Sequence, residues 1–115
     1  TKERKLFSRT LLVSRYLLPP FAKFDTVIKV KGFQAPPAVI EGILLQSEMV
    51  ADAAVIGIWY ESEATEYPRA YIVVEPKFAN EPNLVEKITN FVATRVAPHL
   101  RIKGGIRFID VIPKS

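Results

Sequence analysis

The chain has 115 residues, a length that suits one domain and is too short for two. Hydrophobic residues make up 49 % of it and charged residues 24 %, so its composition is that of a globular protein and excludes a disordered chain. It contains no cysteine, which excludes disulfides and thiolate metal sites. No apolar run approaches the roughly 18–20 residues of a transmembrane helix, and the lack of thiols favours a cytoplasmic location.

Basic residues are concentrated near the N-terminus. The net charge is +4, but residues 1–31 have a balance of +6 and the remaining residues a balance of −2. A nucleic-acid-binding surface needs basic side chains interleaved with aromatic ones on a folded face. The sequence has no such pattern, so we expect no nucleic-acid partner. We also expect no metal site, because His99 is the single histidine.

Residues 1–24 are predicted to form a separate helical segment. Its apolar side chains, between Leu6 and Leu18, spread around most of a helix that Pro19-Pro20 would end. A helix that is apolar on nearly all sides needs a partner surface. We therefore expect this helix to pack on its own domain and to pair two chains as a homodimer. The alternatives are an organellar presequence, because the segment is basic and poor in acids, and a helix on a membrane surface.

The rest of the chain predicts the element order β, α, β, β, α, β. The strand patterns are 27–30, 53–58, 70–74 and 106–111, the middle two forming a hairpin around the acidic loop 61–66. The helix patterns are a stripe of Val39, Ile40, Ile43 and Leu44 after Pro36-Pro37, and a stripe from Leu84 to Val96 with Asn83 as its cap and Pro98 as its stop. We therefore expect an α+β domain with two helices packed on a small sheet.

Two motifs mark residues 25–115. Residues 28–34 read IKVKGFQ, followed by APP, and residues 104–115 read GGIRFIDVIPKS. At this separation the two motifs resemble those that open and close the C-terminal domain of adenylate-forming acyl- and aryl-CoA ligases, the superfamily of 4-coumarate–CoA ligase and firefly luciferase. The resemblance implies the small α+β domain of that family, with its hinge at Asp25. It also implies that the adenylation lysine, which follows IPKS in the family, would come a few residues after Ser115.

The resemblance assigns roles to the first motif. Lys29 and Gln34 would be catalytic residues that approach the bound acyl adenylate, where lysine supplies a point charge and an amide both donates and accepts. Lys31, Gly32 and Phe33 would line the path of the CoA pantetheine. Considered from the residues alone, the two lysines also fit the solvated face of an edge strand.

The cofactors of the full-length family, CoA and ATP or AMP, are implied only by the resemblance. The chain has no Walker-type loop and no Ser/Thr/Gly-rich phosphate loop. We therefore expect that the chain alone neither binds nor activates ATP in the manner of the family. The leading hypothesis is the CoA-side domain of an acyl- or aryl-CoA ligase, which acts on a small-molecule acid or acyl intermediate and is not competent for adenylation by itself.

Departures from the family pattern leave two other hypotheses open. Aromatic residues replace a usual proline and acid at Trp59 and Tyr60, and His99 replaces a usual tyrosine. A domain repurposed to cyclise or isomerise a biosynthetic intermediate would use His99, Asp110 or Glu66 as its acid or base, and Tyr67 would join the two aromatics around an apolar pocket. The third hypothesis is a docking module that contacts a partner through Lys29 and Lys31.

Overall fold

The structure is a computed structural model, and it describes residues 27–112. The helix predicted in residues 1–24, the homodimer that it would form and the hinge predicted at Asp25 lie outside the described residues. The described elements are β1 (Ile28–Val30), β2 (Phe33–Ala35), α1 (Pro37–Leu44), β3 (Val50–Tyr60), β4 (Thr65–Val74), α2 (Leu84–Ala93) and β5 (Ile106–Phe108), with short 3₁₀ turns at Glu61–Glu63, Pro76–Phe78 and Pro98–Leu100. No helix within residues 27–112 is long and apolar enough to cross a membrane.

The strands form two sheets. β1 and β2 pair as a small antiparallel hairpin, and β3, β4 and β5 form a three-stranded sheet with β4 in the centre. β3 and β4 are antiparallel, whereas β5 runs parallel to β4 after the crossover through α2. The α+β prediction is confirmed. The predicted order is also confirmed, with β2 as an additional strand and with the strands divided between two sheets.

The three-stranded sheet is buried on both faces. Its larger cluster joins Val55, Ala70 and Ile72 to residues of both helices, including Ile40 and Ile88. The other face carries a second cluster of Ala54, Ile56, Ile58, Tyr71 and Ile112. Burial on both faces explains why the sequence of β3 is a continuous apolar run rather than an alternation.

Helix α1 begins at the predicted prolines but does not bury the whole of the predicted stripe. Pro36 is its N-cap and Pro37 its first residue. Ile40 and Leu44 are buried as predicted, whereas Val39 is 47 % exposed. Glu41, which was not predicted to be buried, is only 1 % exposed. Its Oε2 accepts a hydrogen bond of 2.9 Å from the backbone N–H of Val55.

The other predicted boundaries also need correction. Asn83 lies at the N-cap of α2, but its side chain makes no capping hydrogen bond and its φ is +57°. The helix ends at Ala93, before Val96 and well before Pro98. β5 has three residues instead of the six predicted. The loop predicted at 61–66 is shorter, because Thr65 and Glu66 belong to β4 and are buried.

Candidate functional site

The β1–β2 hairpin turns through two residues, Lys31 and Gly32, whose φ values are +51° and +88°. Positive φ at both central residues is the requirement of the tight hairpin turn that matches the twist of the strands. Among the described residues 27–112, no atom lies within 4 Å of the position that a Cβ would take at Gly32. The glycine is therefore needed for its backbone conformation rather than for packing inside the domain, and the space in front of it is open.

Lys29 and Gln34 lie directly opposite each other in this hairpin. Both side chains are exposed, whereas the neighbouring pair, Ile28 and Ala35, is buried in the main core. Opposed residues of an antiparallel pair point to the same face of the sheet. The two residues predicted to be catalytic thus form one polar pair on the side of the hairpin that faces away from the core.

Side chains of β4 hold the hairpin in place. The backbone N–H of Lys29 donates to Oε1 of Glu66 over 3.0 Å, and that of Lys31 donates to Oγ1 of Thr65 over 2.7 Å. The Thr65 hydroxyl in turn donates to the carbonyl oxygen of Lys29 over 3.2 Å. Glu66, one of the predicted acid–base candidates, therefore contacts the backbone of the strand that carries Lys29.

An apolar hollow of about 260 Å³ lies on one side of the turn, lined by Val30, Lys31, Phe33, Tyr67, Pro98, His99 and Lys103. Phe33 is 63 % exposed, and its ring stacks on the imidazole of His99 with centroids 5.3 Å apart and planes inclined by 27°. The two lysines of the hollow are exposed. The hollow thus combines an aromatic wall with two cations, a combination that suits a ligand with an apolar arm and anionic groups.

Tyr67 forms part of the inner wall of this hollow. Its hydroxyl donates to Oε1 of Glu63 over 2.7 Å, and its ring packs edge to face against Tyr60 with centroids 5.3 Å apart. The hydrogen bond to the Glu63 carboxylate, together with desolvation, raises the pKa of the Tyr67 phenol above its usual 10.0. Tyr67 is therefore held as a neutral donor, with its ring fixed on two sides.

A second open hollow, of about 320 Å³, lies on the other side of the turn. Its lining includes Lys29, Lys31 and Gly32 from the hairpin, Trp59 from β3, and Thr65 and Glu66. The indole N–H of Trp59 donates to Oε2 of Glu61 over 2.9 Å. The hairpin turn accordingly projects between two hollows, and one lysine, Lys31, borders both.

The predicted residues do not all meet in one place. Lys29, Lys31, Gly32, Phe33, Gln34, Glu66 and His99 lie on or beside the hairpin. Asp110 follows β5 at the far end of β4, where Ile109 bonds to Ile72. Ile72 lies six positions from Glu66 along β4, a distance of about 20 Å. Of the three aromatics, Tyr67 lines the hollow with His99, whereas Trp59 and Tyr60 line a different one with Arg69.

Three residues at the site were not predicted from the sequence to act there. Thr65 bonds to the hairpin, and Lys103 contributes the second cation of the apolar hollow, with its Nζ 5.5 Å from the centre of the Tyr67 ring. Glu63 fixes the Tyr67 hydroxyl. Within the described residues 27–112, no group of three or more His, Asp or Glu side chains could hold a metal ion.

Comparisons with known proteins identify the family of this chain. The sequence profile of the AMP-binding enzyme C-terminal domain matches residues 39–115. An acyl-CoA ligase, azaF, of Aspergillus niger is 44 % identical over 89 residues, which are 77 % of this chain and 16 % of that protein. A luciferin 4-monooxygenase of Photuris pensylvanica is 43 % identical over 94 residues, which are 81 % of this chain and 16 % of that protein.

A solved structure shares the fold. The anthranilate CoA ligase AuaEII, determined in complex with anthranoyl-AMP, superposes with a TM-score of 0.70 at 28 % identity, over 79 % of this chain and 17 % of that one. The chain belongs to the family of AMP-binding enzyme C-terminal domains, as the resemblance of its two motifs implied. It spans about 16 % of the length of the curated relatives that it matches.

Proposed function

We propose that this domain is the CoA-side domain of an adenylate-forming acyl- or aryl-CoA ligase. The observation that carries the proposal is the hairpin, which presents the exposed pair Lys29 and Gln34 on one face and an open two-residue turn beside an apolar hollow. In the reaction, the sulfur of CoA bonds to the acyl carbon of an acyl adenylate, and the bond from that carbon to the phosphate oxygen breaks. The products are the thioester and AMP, and the thiol proton passes to solvent.

The polar pair suits the adenylate. The ammonium group of Lys29 is a compact charge that interacts favourably with a phosphoryl oxygen, including the charge that it gains as AMP leaves. The amide of Gln34 donates and accepts, so it orients either the acyl carbonyl or the phosphate. Both side chains are exposed on one face of a hairpin that is fixed by its buried side. This arrangement would allow the pair to enter an active site that another part of the enzyme provides.

The turn and the apolar hollow suit CoA. At Gly32 no side chain projects, and none of the described residues fills the space in front of the backbone, so a ligand could approach it closely. Phe33, stacked on His99, offers an apolar wall to a pantetheine arm. Lys31 and Lys103 stand at the hollow, where they would interact with the phosphate groups of the same molecule.

We infer further that this chain does not adenylate an acid by itself. It spans about 16 % of the length of its curated relatives, and its 115 residues contain no Gly-rich loop that could cradle a triphosphate. A carboxylic acid and ATP supplied to the chain alone should therefore release no pyrophosphate above the uncatalysed background. Pyrophosphate release that depends on the chain would overturn this inference.

The CoA proposal is tested by following the backbone amides of the hairpin by NMR while CoA is added. We expect weak binding, with a Kd on the order of 1 mM, because most of a ligase is needed to enclose the ligand. The largest shift changes should fall on Gly32 and Phe33 and should shrink at high salt. Lys31→Ala should weaken binding several-fold, whereas Lys77→Ala, at an exposed lysine beside Phe78, should not. An unperturbed hairpin at several times that CoA concentration would refute the proposal.

A further inference from the structure

The hairpin is attached to the rest of the domain in an unusual way. In the described residues, strand pairing joins β1 to β2, β3 to β4 and β4 to β5, and no pairing joins β1 to the three-stranded sheet. The outer edge of β1 nevertheless lies against the start of β4. Buried or half-buried backbone groups need hydrogen-bond partners, and at this edge a neighbouring strand does not supply them.

Two side chains supply these partners instead. Val30 and Phe33 flank the two-residue turn as a hydrogen-bonded pair, so the next pair, Lys29 and Gln34, is of the kind whose backbone groups point outward. The outward N–H of Lys29 donates a hydrogen bond to the carboxylate of Glu66, and the outward carbonyl of Lys29 accepts one from the hydroxyl of Thr65. The same hydroxyl oxygen accepts the N–H of Lys31 at the start of the turn.

Both of these side chains are enclosed. Thr65 is 3 % exposed and Glu66 5 % exposed, which is rare for a carboxylate unless it is engaged. The enclosure depends on Gly57 in β3, because a Cβ there would lie 3.2 Å from Oε2 of Glu66 and 3.1 Å from Cγ1 of Ile28. A carboxylate that accepts a backbone N–H in such a setting makes a stronger hydrogen bond than a neutral acceptor would.

We propose that Thr65 and Glu66 form a clamp that sets the position of the hairpin and thereby orients Lys29 and the turn at Lys31 and Gly32. They act as positioning residues: Glu66 is committed to the backbone of β1 and does not serve as a general acid or base. The assignment of what the hairpin contacts rests on the proposed CoA-ligase function. The clamp itself rests only on the contacts described above.

The clamp is tested by hydrogen exchange of single backbone amides, measured by NMR on the 115-residue chain. Glu66→Ala should accelerate exchange of the Lys29 amide by about tenfold or more relative to core amides of β3, while Glu66→Gln, which keeps an acceptor oxygen, should restore most of the protection. Thr65→Val, which has a similar shape but no hydroxyl, should accelerate exchange of the Lys31 amide in the same way. Thr65→Ser, which keeps a hydroxyl, should restore the protection of that amide. Comparison with the Val55 amide separates a local effect from a loss of global stability.

If the Lys29 and Lys31 amides keep their protection in Glu66→Ala and Thr65→Val, the clamp does not exist. If Glu66→Ala does not fold, the Thr65 pair decides the question alone, because its effect falls on a different amide. The CoA titration is then repeated on Glu66→Ala and Glu66→Gln. A several-fold weaker affinity for CoA in Glu66→Ala, with near wild-type affinity in Glu66→Gln, supports the positioning role. If the Lys29 amide loses its protection in Glu66→Ala but both variants bind CoA equally well, the positioning role is refuted. If wild-type protein fails to bind CoA but the exchange results hold, the clamp stands and the proposed function fails.

Discussion

Replacing Gly32 by alanine should destabilise the domain, whereas replacing Gly42 by alanine should stabilise it. The two glycines are matched in one respect, because a Cβ at either position would meet no atom of the described part of the chain within 4 Å. They differ in backbone conformation. Gly32 has a φ of +88° in the hairpin turn, and Gly42 lies within helix α1 without a positive φ. Any difference between the two substitutions therefore reports conformation and not packing.

The magnitudes follow from that difference. An L-residue forced into the left-handed region costs about 1–2 kcal/mol, and the reduced freedom of the unfolded chain returns about 0.4–1 kcal/mol of it. The net loss at Gly32 should be about 0.5–1 kcal/mol. Alanine within a helix is favoured over glycine by about 0.5–1 kcal/mol, so Gly42→Ala should gain that amount. The two variants should thus differ by about 1–2 kcal/mol in their free energies of unfolding.

The assay is urea unfolding followed by the fluorescence of Trp59, the single tryptophan of the chain. Gly32→Asn serves as a control, because asparagine tolerates positive φ and should lose less than alanine does. The slope of unfolding against urea should be unchanged in all three variants, since none alters the buried surface. If Gly32→Ala is as stable as wild type, or if both alanine variants move in the same direction, the turn does not hold the conformation on which the proposed CoA contact depends.

Two further results are expected. The hydrogen bond to Glu63 raises the pKa of Tyr67, so the folded state keeps the phenol proton to a higher pH than the unfolded state does. The stability that this difference contributes is complete below about pH 10 and is lost as the pH rises through the folded pKa. Tyrosinate absorbance followed against pH, with the signal of Tyr67→Phe subtracted, gives the midpoint of the Tyr67 titration. Glu63→Gln should move this midpoint back toward pH 10, and a midpoint that does not move would contradict the assigned cause. Separately, the intact chain should sediment as a dimer of 12.9 kDa protomers, and deletion of residues 1–24 should abolish the dimer and reduce solubility; a monomer that stays soluble and folded after the deletion would show that this segment has another role.

Elements buried by apolar side chains could be predicted from the sequence. The run around Val55 indicated a strand because both faces of the sheet are covered, and Ile40, Leu44 and Ile88 marked the inner faces of the helices. The hairpin was harder, because β2 has only three residues and two of them are exposed. Its first strand, β1, was predicted from its apolar residues, but β2 and its pairing with β1 were not predicted.

Buried polar residues could not be predicted in the same way. Glu41, Thr65 and Glu66 look like surface residues in the sequence, and they are buried because they satisfy backbone groups that are distant along the chain. The partner of Glu41 is 14 residues away, and those of Thr65 and Glu66 are 34 to 37 residues away. No local periodicity records such pairs. For the same reason the stacking of Phe33 on His99 could not be foreseen, since it depends on how the turn at Pro98–Leu100 meets the hairpin.

The buried face of the hairpin stabilises the fold, whereas its exposed face carries the residues that we propose contact a ligand, and this division can be tested. An isolated two-stranded hairpin is marginal in water, so this one must draw its order from its buried face, where Ile28 is 1 % exposed, and from its bonds to β4. Ile28→Ala should therefore cost about 2–5 kcal/mol of stability. Lys29→Ala and Gln34→Ala should each stay within about 0.5 kcal/mol of wild type, because their side chains face solvent and the clamp holds the backbone of residue 29, which alanine retains. Urea unfolding of the three variants measures this directly. A loss in Lys29→Ala as large as that in Ile28→Ala would mean that the lysine side chain serves the fold and is not free to serve a ligand.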